Sequence, residues 1–343
     1  MTATDATQKR PPAAAAGAPS KPPVAGGGAI AASAVVLSAS DRAPQVHLDA
    51  ARLAATSRKG YRAVRATHGC GGPSGVAAAA PDGEKANSSA GANTDTTEAR
   101  LKAGTWYWEA EVAHLGATGH ARLGWSTRAA DANAPVGFDA HGYGYRDVGG
   151  EAVRRGWRRE YGAAWKEGDV VGCLLHVPVP GGGADSLAAV AAPVGGKGKA
   201  PAAAAAAPAA AGEEGEQAAD ATAADPAADP AAADAADARE GVPGSFVGFC
   251  VNGKWQGRAF EGTLRREAYY PTVSLYTMPE QGEGATVRCN FGPEFRFAPP
   301  SLAELGLSAG EEGSSRVRPV SELVAVEAAL AEDKEGEEAM KVD

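Results

Sequence analysis

Residues 181 to 240 cannot join a hydrophobic core, and this constrains everything else the chain can fold into. They hold 28 alanines, one leucine and no aromatic ring, too little apolar bulk to offset the entropy of ordering so long a segment. Their repeated Asp-Pro and Asp-Ala-Ala steps also interrupt any helix that the alanines would start. The stretch therefore reads as a disordered insertion. A similar composition marks residues 1–30 as a low-complexity N-terminus and residues 71–104 as a flexible loop. What remains is one domain over residues 31–300, interrupted twice, followed by an acidic tail over 301–343 with a helix expected at 321–333.

Dividing the charge the same way is informative. Of the net −9, residues 181–240 contribute −7 and residues 311–343 contribute −6, so the remainder carries +4. A weakly basic body with acidic appendages argues against strong nonspecific binding to duplex DNA, which needs a concentrated basic face. It does allow a local patch for an acidic peptide. Cys70, Cys173, Cys250 and Cys289 include no C-x-x-C pair, and three of them lie in strand-like runs, so buried thiols in a reducing compartment are expected. No run of apolar residues is long enough to predict a membrane span.

The segments that can order alternate with period two. In TWYWEAEVAHL, Trp106, Trp108, Ala110 and Val112 share one face, while Tyr107, Glu109 and Glu111 share the other, as in a half-buried strand. HARLGWS repeats the pattern with Ala121, Leu123 and Trp125. DVVGCLLHV is apolar nearly throughout and suits a central strand. Asn252-Gly253 separates two strand-like runs, a strong hairpin signal. Many short strands with almost no helical periodicity predict an all-β fold, an antiparallel β-sandwich. The insertion does not prevent this, because each doubling of a surface loop costs only about 0.6 kcal/mol. In the tail, Leu323, Val326 and Leu330 form one stripe after Pro319, the pattern of a short amphipathic helix.

Catalysis should leave a constellation, and none assembles. The six histidines stand singly, and the sequence holds no H-E-x-x-H, P-loop or G-x-S-x-G. No cofactor, metal site or enzymatic activity is predicted; the least unsuitable catalytic set would be His68, Cys70 and His120. The stretch from 122 to 159 is more telling, with seven arginines, no lysine and four acids. Arginine without lysine suits planar, bidentate recognition of carboxylate or phosphate. Since Ala121, Leu123 and Trp125 face the core, Arg122 is expected on the outer face of its sheet. Pro135, Phe138 and Arg146 follow in a glycine-rich loop. Internal ion pairing, as of Arg146 with Asp147, is the competing reading of the same residues.

DRAPQV (41–46), KGYRAVRATHG (59–69), GTWYWEAEV (104–112), ARLGWS (121–126), APVGFD (134–139), GYGYR (142–146), EGDVVGCLLHVP (167–178), YYPTVSLY (269–276) and NFGPEFRFAPP (290–300) together resemble a SPRY domain. More narrowly, they resemble that of the Ash-two-like trithorax subunits of COMPASS-type histone lysine methyltransferase complexes. The resemblance implies a noncatalytic nuclear subunit that binds an acidic segment of a WD-repeat partner of the retinoblastoma-binding-protein-five type. It also implies that this pair activates a SET-domain methyltransferase acting on lysine four of histone H3. The family's peptide pocket falls on Tyr61, Arg122, Pro135, Phe138 and Arg146, with Phe138 where tyrosine is more common. Leu323, Val326 and Leu330 fall in the segment that would dock on a Dpy-thirty-type dimer, although the acidic AEDKEGEE after them departs from the family. The rival among interaction proteins is a SPRY adaptor that recruits substrates to a ubiquitin ligase. It would need a ligase-binding box or paired cysteines, and neither is visible. The family's larger members carry DNA-binding modules that have no counterpart here, so little direct DNA binding is expected.

Overall fold

A computed structural model describes residues 34–72, 97–179, 241–308 and 315–340, with side chains described as far as 333. The expected low-complexity N-terminus and the 181–240 insertion lie outside these residues, as does most of the 71–104 loop. Two antiparallel sheets face each other. Sheet A runs in the order β1 (Leu37–Arg42), β4 (Arg62–Ala66), β14 (Ala268–Tyr276), β7 (His120–Ser126), β8 (Gly142–Arg146), β9 (Glu151–Arg154) and β10 (Trp157–Glu160), with β5 (Cys70–Gly71) against β14. Sheet B runs β13 (Lys254–Glu261), β12 (Phe246–Val251), β11 (Val170–Val177), β6 (Gly104–His114), β15 (Ala285–Asn290), β3 (Ala54–Ser57) and β2 (Val46–Leu48). A short β16 (Val317–Pro319) lies parallel to β6.

The alternation read from the sequence is what closes the sandwich. Trp106, Trp108, Ala110 and Val112 from β6 meet Ala121, Leu123 and Trp125 from β7 in one buried cluster. The Trp108 and Trp125 rings cross edge to face at 6.4 Å, a geometry favoured by the ring quadrupoles. Strand β11 is buried along its whole length and pairs with β12 from Val171↔Val251 to His176↔Phe246, so the sheet continues across the insertion. Asn252 and Gly253 turn the β12–β13 hairpin with φ of 51° and 78°, the left-handed pair that a two-residue hairpin requires.

Three expectations are corrected by what covers the sandwich. The outer face of β6 is not solvated: Tyr107 and Glu109 are buried because the 291–308 segment lies across them. Phe295 packs on the Tyr107 ring at 4.8 Å, while Glu109 accepts hydrogen bonds from Asn290 Nδ2 at 3.0 Å and the Arg296 amide at 2.5 Å. The 71–104 loop ends earlier than expected, since residues 97–102 form a helical turn, α1, and Gly104 already belongs to β6. Helix α2 runs Leu323–Met340 after a 3-10 turn at Val320–Glu322, longer than predicted. Its stripe of Leu323, Val326 and Leu330 is buried in the main core of the same chain. Burying each leucine contributes roughly 1.5–3 kcal/mol, so these side chains serve the domain and do not face an outside partner.

The helices are joined by charge as well as by packing. Lys102, 1% exposed, sits between Glu98 at 3.1 Å and Glu327 of α2 at 3.0 Å. His68 lies 3.5 Å from the same Glu327. Arg318 stacks on the Trp106 ring at 4.0 Å and donates to the Leu101 carbonyl. Together these contacts hold the C-terminal helix against the start of β6.

Candidate functional site

Residues expected to bind a peptide lie on the outer face of sheet A, along β7 and β8. Arg122 projects opposite to Ala121 and Leu123, as alternation requires, and pairs across the ladder with Arg146 on one side and Ser274 on the other. Its guanidinium lies over the Tyr61 ring, 4.9 Å from the centroid, and Tyr61 packs on Tyr276 at the same 4.9 Å separation. Two cations directly opposite each other on a sheet are unfavourable for folding. A cation on an aromatic face is favourable, more so away from water. The sequence therefore places two planar, permanently charged residues in register, with Arg122 over an aromatic ring.

The sequence misjudges how deeply they sit. Arg122 is fully buried and Arg146 is 6% exposed, because the loop from 127 to 141 folds back across the sheet. The Val136 amide donates to Ser274 Oγ at 2.8 Å, and Gly137, at φ +84°, turns the chain where a Cβ would meet the Val153 carbonyl. Gly144 is needed for the same approach, since a Cβ there would lie 2.6 Å from the Val136 carbonyl. Pro135 is buried and Phe138 is half-buried in this loop, with the Phe138 amide donating to the Pro135 carbonyl at 3.0 Å. Tyr61, Arg122 and Arg146 thus come together directly, while Pro135 and Phe138 belong to the loop that covers them.

The competing reading, internal pairing, holds for Arg146 with a different acid. Its Nη1 donates to Glu151 at 2.8 Å, whereas Asp147 accepts from His120 Nδ1 at 3.0 Å. A guanidinium has five donors in a fixed fork, so the Glu151 contact is compatible with a second carboxylate. His120, Ser274 and Tyr276 were not assigned to the pocket from the sequence. His120 lies 6.1 Å from Tyr276 ring to ring. The usable signal was the register of β14, in which Ser274 and Tyr276 follow the outer-facing Thr272.

The residues considered for catalysis do not meet. Cys70 is buried and donates to the Tyr269 carbonyl, and burial pushes its thiol well above the ordinary range, the reverse of what a nucleophile needs. His68 bonds to Thr67 Oγ1 at 2.8 Å and pairs with Glu327, while His120 pairs with Asp147. Burial lowers its pKa, opposed by Glu327. Among the described residues no group of three His, Cys, Asp or Glu side chains could hold a metal ion, and no helix is long and apolar enough to cross a membrane.

Comparison with known families bears on the class: residues 105–180 match the SPRY domain, within the β-sandwich described above. The chain's relatives are more particular. Over 279 residues it is 27% identical to the Set1/Ash2 histone methyltransferase complex subunit ash-2 of Caenorhabditis elegans, covering 81% of this chain and 40% of that protein. Over 270 residues it is 26% identical to the Set1/Ash2 histone methyltransferase complex subunit ASH2 of Drosophila melanogaster, covering 79% and 38%. A shorter stretch of 72 residues is 49% identical to the COMPASS component cclA of Aspergillus fumigatus, covering 20% and 12%. The chain thus spans about two fifths of the length of the two animal relatives. Its homologues are Ash2-type subunits of Set1 and COMPASS histone methyltransferase complexes.

Proposed function

We propose that this chain is a noncatalytic, nuclear subunit of a histone H3 lysine-four methyltransferase complex. In this reading its SPRY domain binds an acidic peptide of a WD-repeat subunit. The observation that carries the proposal is the juxtaposition of Arg122 and Arg146 across the β7–β8 ladder, with Arg122 above the Tyr61 ring. Because Arg122 and Tyr61 are buried, binding requires the covering 127–141 loop to open; the guanidinium groups then receive the peptide's carboxylates, and the rings of Tyr61 and Phe138 its apolar part. The names of the relatives supply the complex; the basic aromatic pocket supplies the mode of attachment.

Activation needs no chemistry from this subunit. A partner that binds the active arrangement of a SET-domain methyltransferase more tightly than the inactive one raises its population by that difference in affinity. Attachment of a Dpy-thirty-type dimer would have to use positions of α2 other than Leu323, Val326 and Leu330, which are buried in the chain's own core. Affinity purification of the tagged full chain from nuclei tests the proposal. Co-purification of histone H3 lysine-four methyltransferase activity with a WD-repeat subunit is expected, and Arg122→Ala should lose both. Methyl transfer by the chain alone, or partners confined to ubiquitin ligases, would overturn it.

A further inference from the structure

The β9–β10 hairpin lies outside the pocket just described and carries a concentration of charge that the proposed function does not use. Residues 154–159 read Arg-Arg-Gly-Trp-Arg-Arg, four cations and no acid in six positions. Among the described residues β10 is the last strand of sheet A, so the hairpin forms an edge of that sheet. Arg154 is buried as a support, its guanidinium 4.6 Å from the Tyr143 centroid and its Nη2 donating to Tyr143 Oη at 3.0 Å. Arg155, Trp157 and Arg158 are half-buried and Arg159 is exposed. The turn places Arg155 at φ 52°, a left-handed position normally given to Asn, Asp or Gly. Placing an arginine there concentrates charge at the tip against the conformational preference of the backbone.

This hairpin stands next to the point where the acidic insertion returns to the fold. Arg159 stacks on Phe260 at 5.1 Å, and Tyr143 Oη donates to the Thr263 carbonyl at 2.7 Å. The adjoining Leu264 carbonyl accepts the Val242 amide at 2.6 Å, and the Gly262 amide donates to the Ser245 carbonyl. Residues 242–245 are the first turn after the insertion. Immediately before them, residues 213–240 carry nine acids and one arginine. Asp234, Asp237 and Glu240 are tethered to that turn by at most seven residues, a reach of about 25 Å at full extension. A short tether gives them a high effective concentration at the hairpin.

We propose that the arginine hairpin β9–β10 is the docking surface for the acidic stretch 213–240 of the same chain, held in cis by charge. The occupant is argued from complementarity of sign, from the length of the tether and from the place where it re-enters the fold. Arginine suits the role because its planar fork accepts carboxylates in several orientations, which repeated, irregularly spaced Asp and Glu require.

Zero-length carbodiimide cross-linking of the full chain tests this. The hairpin has no lysine, so Arg158→Lys and Arg159→Lys introduce the only amines there while keeping the charge. The expected result is cross-links from position 158 or 159 to Asp234, Asp237 or Glu240, falling several-fold in yield at about 1 M salt, where the screening length is ~3 Å. The 3.0 Å pair of Lys102 with Glu327 reports in the same sample that the fold and the reagent are sound. Silence at 158 and 159 while that control pair cross-links would overturn the proposal. Cross-links that join two copies in a mixture of isotopically light and heavy chains would also overturn it, by showing the contact to be in trans.

Discussion

Arg65 and Arg122 occupy the same outer face of sheet A, on either side of β14, opposite Thr272 and Ser274. Both are buried, yet their surroundings differ in kind. Arg65 is clasped by Asp41, with Nε to Oδ2 at 2.9 Å and Nη2 to Oδ1 at 2.6 Å, and it also donates to the Ala130 carbonyl at 3.0 Å. Arg122 lies on the Tyr61 ring with a second arginine opposite it. The first arrangement is what folding asks of a buried cation: a carboxylate and enough acceptors to replace water. The second sets two like charges in register, offset in part by the Tyr61 ring under Arg122 and by Glu151, 2.8 Å from Arg146. The Asp41–Arg65 clasp is the fold's own brace, beside the arginine pair that we propose as the receptor for carboxylates of a peptide.

That contrast can be broken most forcefully from the structural side. Arg65→Ala should cost about 3 kcal/mol or more in unfolding free energy, because it leaves the Asp41 carboxylate without its bidentate partner, and chemical denaturation measures it. Arg122→Ala should cost less in stability than Arg65→Ala, since what it loses is packing on Tyr61 and not the only partner of a carboxylate, while the affinity for an acidic peptide falls by ~2 to 5 kcal/mol. If the two variants behaved alike, the distinction between brace and receptor would be lost. Lys102→Met should destabilise by about 2 kcal/mol, less than a fully buried pair would because Glu327 is partly exposed, and should leave peptide affinity unchanged.

The smallest effect expected is that of pH on the same helical contact. Burial lowers the pKa of His68 below that of a free histidine, so the unfolded chain takes up the proton first as pH falls. The contribution is fully present above the ordinary histidine range and is lost as pH drops through it toward the lowered value. Hydrogen exchange over α2 should accelerate with that drop in the wild type and much less so in His68→Gln. The same acceleration in both would assign it to other groups.

Much of this was legible in the sequence, for one physical reason. The faces of β6 and β7 that build the core are specified by alternation within each strand, so Trp106, Trp108, Leu123 and Trp125 could be assigned without a partner in view. Asn252-Gly253 declares its turn through its own backbone preference. The failures concern covering. Whether the outer side of a strand is wet depends on segments far away in sequence. The burial of Tyr107 depends on residues 291–308, and that of Arg122 on the 127–141 loop reaching Ser274. The stripe of Leu323, Val326 and Leu330 was visible as a stripe, but a periodic pattern does not say which surface it meets. Of the pocket, Arg122 and Arg146 stood out by charge, whereas Tyr276 and His120 joined it only through strand register.

The most direct test of the receptor reading is calorimetric titration of the full chain with an acidic peptide from the WD-repeat subunit of its own organism. Wild type, Arg122→Ala and Arg122→Lys would be compared at low and high salt. The account predicts saturable binding that weakens with salt, is lost in Arg122→Ala and is only partly restored by lysine, which keeps the charge without the planar fork. Binding of equal strength in wild type and Arg122→Ala, or insensitive to salt, would contradict it.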